Sequence, residues 1–305
     1  MTSSVPTTEI RDASGRRIAF CEYGDPTGHP VVVAHGSPGS RYEGLSLHNA
    51  AATAGIRLIV PDRPGFGRTD PYTDKGFHSW DDDYVTLIDH LEVDSATLMG
   101  FSGGGGYALA VAAAVPERVS KLVLACAMIP GAPRDTVRRR IKLVSALYFA
   151  ANWAPRMAGA MLAGTGVFSK LRSDSVSIWP AADQAVMTDE SHRPALQLDS
   201  SEGIAQGGSA AVVDLARYRH EMPGIFQSIS VPTVFLHGTE DGNVPIEVAR
   251  WAHSSISHSR FEEVSGGRSS VRSRGPHPTD SRPQIIPLDS NACSSMLWVG
   301  DRGIQ

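Results

Sequence analysis

The sequence predicts an α/β fold in which a mostly parallel central sheet is wrapped by helices and interrupted by a helical insertion. Three observations predict it. Short continuous apolar runs, among them Val31-Val32-Val33-Ala34 and Leu58-Ile59-Val60, alternate with stretches of helical spacing, and an unbroken apolar run belongs to a strand covered on both faces. The alternation stops near Pro130 and resumes at Pro232-Thr233-Val234-Phe235-Leu236, so a block of chain is inserted between two strands. Ahead of the break, Gly100-Phe101-Ser102-Gly103-Gly104 sets a serine among glycines where an apolar run gives way to small helix formers, the pattern of a sharp strand-to-helix turn.

In order along the chain, Glu9 to Tyr23 alternates around Ser14-Gly15 and reads as a hairpin. Val31–Ala34 is a buried strand that ends in His35-Gly36-Ser37-Pro38-Gly39. A helix is expected over Gly44 to Ala54, then a second strand, Arg57–Val60, ending in Pro61-Asp62-Arg63-Pro64-Gly65-Phe66-Gly67-Arg68. Asp81 to Leu91 reads as a helix with Tyr84, Leu87, Ile88 and Leu91 on one side. Ala96–Met99 is the strand before the glycine-flanked serine, Tyr107–Ala114 the helix after it, and Lys121–Cys126 a further strand. The expected divisions are 1–130 for the first part of the core, 131–230 for a helical lid, 231–267 for the last strands and 268–305 for an atypical, poorly ordered tail.

Within the insertion, Phe149, Trp153, Met157 and Met161 recur at every fourth position. They are candidates to line an acyl or aromatic substrate pocket, or to hold the lid together. The Arg138-Arg139-Arg140 run reads as a solvated helix face, with Val137, Ile141, Val144 and Tyr148 as the apolar stripe behind it.

Composition narrows the function classes. A formal net charge of -4 over 305 residues gives no electrostatic case for nucleic acid or an anionic membrane. Cys21, Cys126 and Cys293 are too few and too scattered for a disulfide framework or a zinc site and read as reduced thiols. The amino terminus, Met1-Thr2-Ser3-Ser4-Val5-Pro6, lacks the charged and apolar regions of a secretory signal, and the apolar stretch from Ala146 to Leu162 is interrupted by Asn152, Pro155 and Arg156. A cytoplasmic protein is expected. Oligomeric state leaves no signature in the sequence.

A serine held at a strand-to-helix turn has a strained backbone and an exposed hydroxyl, and the amides at the helix tip can stabilise an oxyanion. Ser102 is therefore the candidate nucleophile. Serine needs a base to take its proton and an acid to orient that base. The Thr233–Leu236 strand runs into His237-Gly238-Thr239-Glu240-Asp241-Gly242, so Asp241 is the candidate acid and Glu240 the second choice, against the alternative that Asp-Gly is a plain turn. The chain after the Lys121–Cys126 strand, Ala127-Met128-Ile129-Pro130, offers no carboxylate.

Four motifs in this order, His35-Gly36-Ser37-Pro38-Gly39, Asp62-Arg63-Pro64-Gly65-Phe66-Gly67-Arg68, Gly100-Phe101-Ser102-Gly103-Gly104 and His237-Gly238-Thr239-Glu240-Asp241, give the chain from about 15 to 267 a resemblance to the α/β-hydrolase superfamily, in its lidded esterase and lactonase branch. The resemblance implies Ser102 as nucleophile, Asp241 as acid and the amides of Ser37 and Gly103 as the oxyanion hole. It makes His35, Asp62 and Arg63 structural. Acyl transfer to water is implied, on a small ester of short or medium acyl chain or a lactone, with no cofactor or metal. Serine at the turn argues against dehalogenases and epoxide hydrolases, which carry aspartate there. Carbon–carbon bond hydrolases, peptidases cutting after proline and cofactor-free haloperoxidases share the serine and stay open.

The departure lies at the last motif. Arg260-Phe261-Glu262-Glu263-Val264 resembles the final strand, and Ser265-Gly266-Gly267 the turn that presents the catalytic histidine, yet Arg268 follows. From there the chain is rich in Ser, Pro and Arg, without lysine or helical periodicity, which reads as translation out of frame after an insertion or deletion, with a divergent tail as the alternative. His277, between Pro276 and Pro278, is the one histidine beyond that strand and the candidate base. A catalytically impaired scaffold that lacks the histidine is the alternative.

Overall fold

Eight strands form one sheet in a computed structural model, which describes residues 5–72, 75–163, 184, 189–190 and 192–264. They are β1 (Thr8–Arg11), β2 (Arg17–Gly24), β3 (His29–Ala34), β4 (Ile56–Pro61), β5 (Ala96–Phe101), β6 (Val119–Ala125), β7 (Thr233–Gly238) and β8 (Ser259–Val264). Their spatial order is β1-β2-β4-β3-β5-β6-β7-β8. β1 and β2 make an antiparallel hairpin. Its turn is closed by Asp12, whose Oδ1 accepts the Ser14 and Arg16 amides at 2.8 and 2.9 Å, and from β4 to β8 every neighbouring pair is parallel. The middle of the sheet carries the apolar runs: every residue of β5 and β7 is buried, as helices on both faces require.

The helices are α1 (His48–Thr53), α2 (Asp81–His90), α3 (Gly105–Ala114), α4 (Lys142–Trp153), α5 (Pro155–Ala163), α6 (Arg193–Gly203), α7 (Ser209–Arg217), α8 (Ile225–Ser228) and α9 (Ile246–His253). α2 opens on Asp81, Asp82 and Asp83 and ends on His90, charges that complement the helix dipole. It buries Tyr84, Leu87 and Ile88, the side picked out by their spacing. α3 is buried from Gly105 to Ala112, so it sits between the sheet and other helices instead of at the surface. Burial of apolar side chains on both sheet faces, Val32, Leu98 and Leu124 on one and Val33, Met99 and Val123 on the other, supplies the main stabilisation.

Helices α4 to α8 fall between β6 and β7, in the predicted insertion. Polar contacts fasten this segment to the core. Arg63 and Asp214 of α7 form a buried pair at 2.8 Å, Asp214 also accepts from Tyr107 Oη at 2.5 Å, and Arg217 Nη1 donates to that same Tyr107 oxygen at 2.6 Å. Gln206 donates to the carbonyls of Phe66, Gly67 and Thr69. Arg41, itself paired with Asp62 at 2.8 Å, reaches Glu202 of α6 at 2.8 Å.

One expectation needs correction. The Arg138–Arg140 run is a succession of turns ahead of α4, not a helix face. Arg139 pairs with Glu247, and Arg140 donates to the Asn243 carbonyl while lying over the Tyr148 ring. Cys21 is a free, buried thiol. Among the described residues no helix is long and apolar enough to cross a membrane.

Removing one member of a buried ion pair strands the other charge in the interior. Asp214→Ala is expected to destabilise the protein by about 3–5 kcal/mol in urea unfolding; a loss below about 1 kcal/mol would show that Arg63 is not held by this carboxylate.

Candidate active site

Ser102 follows the last residue of β5, at the carboxyl edge of the sheet, and a 3-10 turn of Ser102–Gly104 leads directly into α3. Its φ is 45°, the left-handed region that a residue with a side chain occupies only where its surroundings enforce it. The surroundings are visible. A Cβ at Gly103 would lie 2.5 Å from Ser37 Cβ and 2.9 Å from the Ser37 amide nitrogen, and one at Gly104 would overlap the Ala34 carbonyl. Only glycine lets the turn lie against the loop after β3. The Ser37 and Gly103 amides therefore belong to segments in contact, and a Cβ at Gly36 would stand 3.6 Å from Ser102 Cβ.

The turn is pinned from two further places. Met128, in the loop after β6, donates its amide to the Ser102 carbonyl at 2.8 Å, and Tyr148 of α4 donates its hydroxyl to the Met128 sulfur at 3.0 Å. Tyr218, just past α7, accepts the Gly106 amide at 2.8 Å and donates to the Gly103 carbonyl at 3.0 Å. It serves two backbone groups at the N-terminus of α3, where amides lack helical partners. Nothing in the sequence marks Tyr218 for this, because its partners lie more than a hundred residues away.

Asp241 lies in the turn after β7. Its Oδ1 accepts the Asn243 and Val244 amides, both at 2.8 Å, so the carboxylate closes its own turn. Its Oδ2 is buried and has no hydrogen-bond partner among the described residues. A buried carboxylate oxygen without a donor is costly, and an imidazole N–H would satisfy it. His237 Nε2 is 3.5 Å from that oxygen but lies 2.7 Å from the Val244 carbonyl, which can only accept. Glu240 is exposed, so Asp241 is the carboxylate built into the site.

Strand register sets the spacing between the two residues. Phe101 pairs with Ala125 and Ala125 with Leu236, so Ser102, Cys126 and His237 stand in line along one edge. Ser102 and the Asp241 turn are two strand spacings apart, about 10 Å, a gap that one imidazole and its hydrogen bonds can span. β8 ends at the same edge, where Thr239 donates to the Val264 carbonyl at 3.0 Å. His277 lies outside the described residues, as does the segment 268–305.

Phe149, Trp153 and Met157 are 61%, 72% and 46% exposed, on the outer side of α4 and α5. The inner side of α4 is Val144, Tyr148 and Ala151, about 100° around the helix from the stripe of every fourth residue. The structure does not bring the three predicted pocket side chains to Ser102, and Tyr148 takes the position toward the site.

The residues expected to be structural are. His35 is fully buried and accepts the Arg63 amide at Nε2, 2.9 Å away, so its proton sits on Nδ1, which donates to the Gly36 carbonyl at 2.7 Å. Burial, then the Arg63 charge, holds its pKa well below the ordinary histidine value. Arg63 also donates to the carbonyls of His35 and Gly36, at 3.0 and 2.9 Å. The donors of Cys126, His237 and Asp241 lie within 4.8 Å of one another. They do not make a metal centre: His237 Nε2 is on a carbonyl and one Asp241 oxygen holds two amides.

Comparison with known proteins agrees with this fold. A family description, the alpha/beta hydrolase fold, matches residues 29–270. The chain belongs to the alpha/beta hydrolase fold family. Among curated relatives of this hydrolase, it is 27% identical over 244 residues to the uncharacterized hydrolase YcgS of Bacillus subtilis (strain 168), covering 75% of this chain and 80% of that one. Among solved structures it superposes on an esterase, EaEST, from Exiguobacterium antarcticum with a TM-score of 0.60 and 26% identity, covering 84% and 90% of the two chains. A bromoperoxidase from Bacillus anthracis gives a TM-score of 0.64 at 22% identity, covering 86% and 92%, and shows the shared fold alone.

The neutral His35 makes the hydrolase sensitive to acid. The unfolded chain binds a proton at this histidine below about pH 6.5, the folded chain refuses it, and stability is lost as pH falls through that value. Urea midpoints between pH 7 and pH 5 are expected to fall less in His35→Gln than in the wild type; an identical slope in the two would contradict the assignment.

Proposed function

We propose that this protein is a serine hydrolase that cleaves carboxylic esters of short or medium acyl chains through an acyl-enzyme. The observation that carries the reading is Ser102 in a left-handed turn at the tip of α3, with the Gly103 turn packed on Ser37. Ser102 Oγ attacks the ester carbonyl carbon, and the carbonyl oxygen, as it becomes negative, takes hydrogen bonds from the Ser37 and Gly103 amides. Such donors are fixed before the reaction and act where charge develops. A histidine receives the Ser102 proton and returns it to the leaving alcohol; water then releases the acid by the reverse sequence. Asp241, with Oδ2 buried and unpartnered among the described residues, orients that imidazole and stabilises its charged form. His277 is the proposed base. The chemistry needs no cofactor or metal.

The esterase relative, at 26% identity, supports ester cleavage, and a lactone presents the same acyl carbon to the same groups. One observation favours a second reading, a hydrolase scaffold without an effective base. Of the described histidines near the site, His35 and His237 are committed to backbone carbonyls.

Hydrolysis of p-nitrophenyl acetate and butyrate by the wild type, Ser102→Ala and His277→Ala separates the readings. The proposal expects both variants to lose about 10³-fold or more in kcat. Turnover unaffected by His277→Ala removes that histidine from the mechanism, and folded wild-type protein without turnover on any ester points to the scaffold.

A further inference from the structure

The oxyanion turn, Gly36 to Ser40, is held at its two ends by two buried carboxylates. Glu43 accepts the Gly36 amide at 2.7 Å. Asp199 accepts both the amide and the hydroxyl of Ser40 at 2.8 Å, and on a single oxygen, Oδ1. The Ser37 amide, proposed to hold the oxyanion, lies between these anchors. Glu43 comes from the 3-10 turn that follows, Arg41–Leu47, but Asp199 comes from α6, in the insertion and far along the chain. α6 lies tight against the turn: a Cβ at Gly203 would come within 2.7 Å of the Gly39 amide nitrogen and carbonyl oxygen.

We infer that Asp199, with Glu43, is a positioning residue for the oxyanion hole, so that the inserted helices set the geometry of catalysis as well as covering it. The inference rests on the proposed role of the Ser37 amide. Neither carboxylate touches the reacting atoms; each fixes an amide one to three residues from Ser37, and an error of an ångström in such a donor is expensive. The pair is also unusual in charge. Burial, then the neighbouring Asp199 charge, raises Glu43 well above the usual carboxylate range. Burial raises Asp199 too, against the Ser40 hydrogen bonds that favour its ionised form. A neutral side chain that keeps the accepting oxygen is therefore a fair substitute for Asp199.

The test compares Asp199→Ala, Asp199→Asn and Ser40→Ala with the wild type, and with Leu198→Ala, an exposed change on the same helix. Amide hydrogen exchange over residues 36–41 reads the turn directly, and steady-state ester kinetics read its consequence. Asp199→Ala is expected to speed exchange at Ser40 and lower kcat about 10- to 100-fold with KM within about 3-fold, while Asp199→Asn stays within about 3-fold of wild type in both. Ser40→Ala, which removes one of the two bonds to Asp199 together with the Ser40 hydroxyl's bond from the Tyr42 amide, is expected to fall between them; it carries the test if Asp199→Ala does not fold. Equal losses in the Ala and Asn variants, a loss confined to KM, or unchanged exchange at Ser40 would overturn the inference. If the wild type turns over no ester, the functional reading fails by itself, and the exchange comparison still decides whether Asp199 holds the turn.

Discussion

The constraint on which the rest of the structure depends is the contact between the turn at Ser102 and the loop after β3. Ser102 can adopt its left-handed backbone only because the sheet delivers β5 next to β3 and glycine at 103 and 104 lets the two loops touch. From that contact follow the burial of α3, whose first turn must pass beside the loop, and the pairing of the Ser37 and Gly103 amides in one small volume. Met128 and Tyr218 then hold the carbonyls of Ser102 and Gly103. They bind the turn to the chain just before the insertion and to the insertion itself.

Arg63 extends the same logic outward. One buried guanidinium donates to the carbonyls of His35 and Gly36 and to Asp214 of α7. Burial of such a charge is tolerable because every arm has an acceptor. The loop after β3, the loop after β4 and the inserted helices thus form one polar unit inside an otherwise apolar interior. The carboxylates of the inserted segment take part in it directly: Asp214 pairs with Arg63, and Asp199 accepts the amide and hydroxyl of Ser40.

The strands and the glycine-flanked serine were legible because they are local patterns. A run such as Val31-Val32-Val33-Ala34 needs two covered faces, and Ser102 between glycines needs a sharp turn, whatever else the chain does. Asp241 was legible for the same reason, as a carboxylate in a turn directly after a buried strand. Gly44 to Ala54 was only half legible: the chain makes a 3-10 turn to Leu47 before α1, with Gly44 packed against the Tyr23 ring, a contact that local spacing does not encode. Phe149 and Trp153 do share a face of α4, with Met157 beyond them on α5, but spacing does not say whether such a face points in or out. Glu43, Asp199 and Tyr218 were illegible, since a buried polar residue acquires its role from partners brought together only by the fold.

The central claim is that the Ser102 hydroxyl is primed to attack an acyl carbon. Its most direct test is covalent labelling of the folded protein with a fluorophosphonate probe, with the adduct located by peptide mass spectrometry. The account predicts a single adduct on Ser102 that disappears in Ser102→Ala. Folded protein that stays unlabelled, or carries the adduct on another serine, would contradict it.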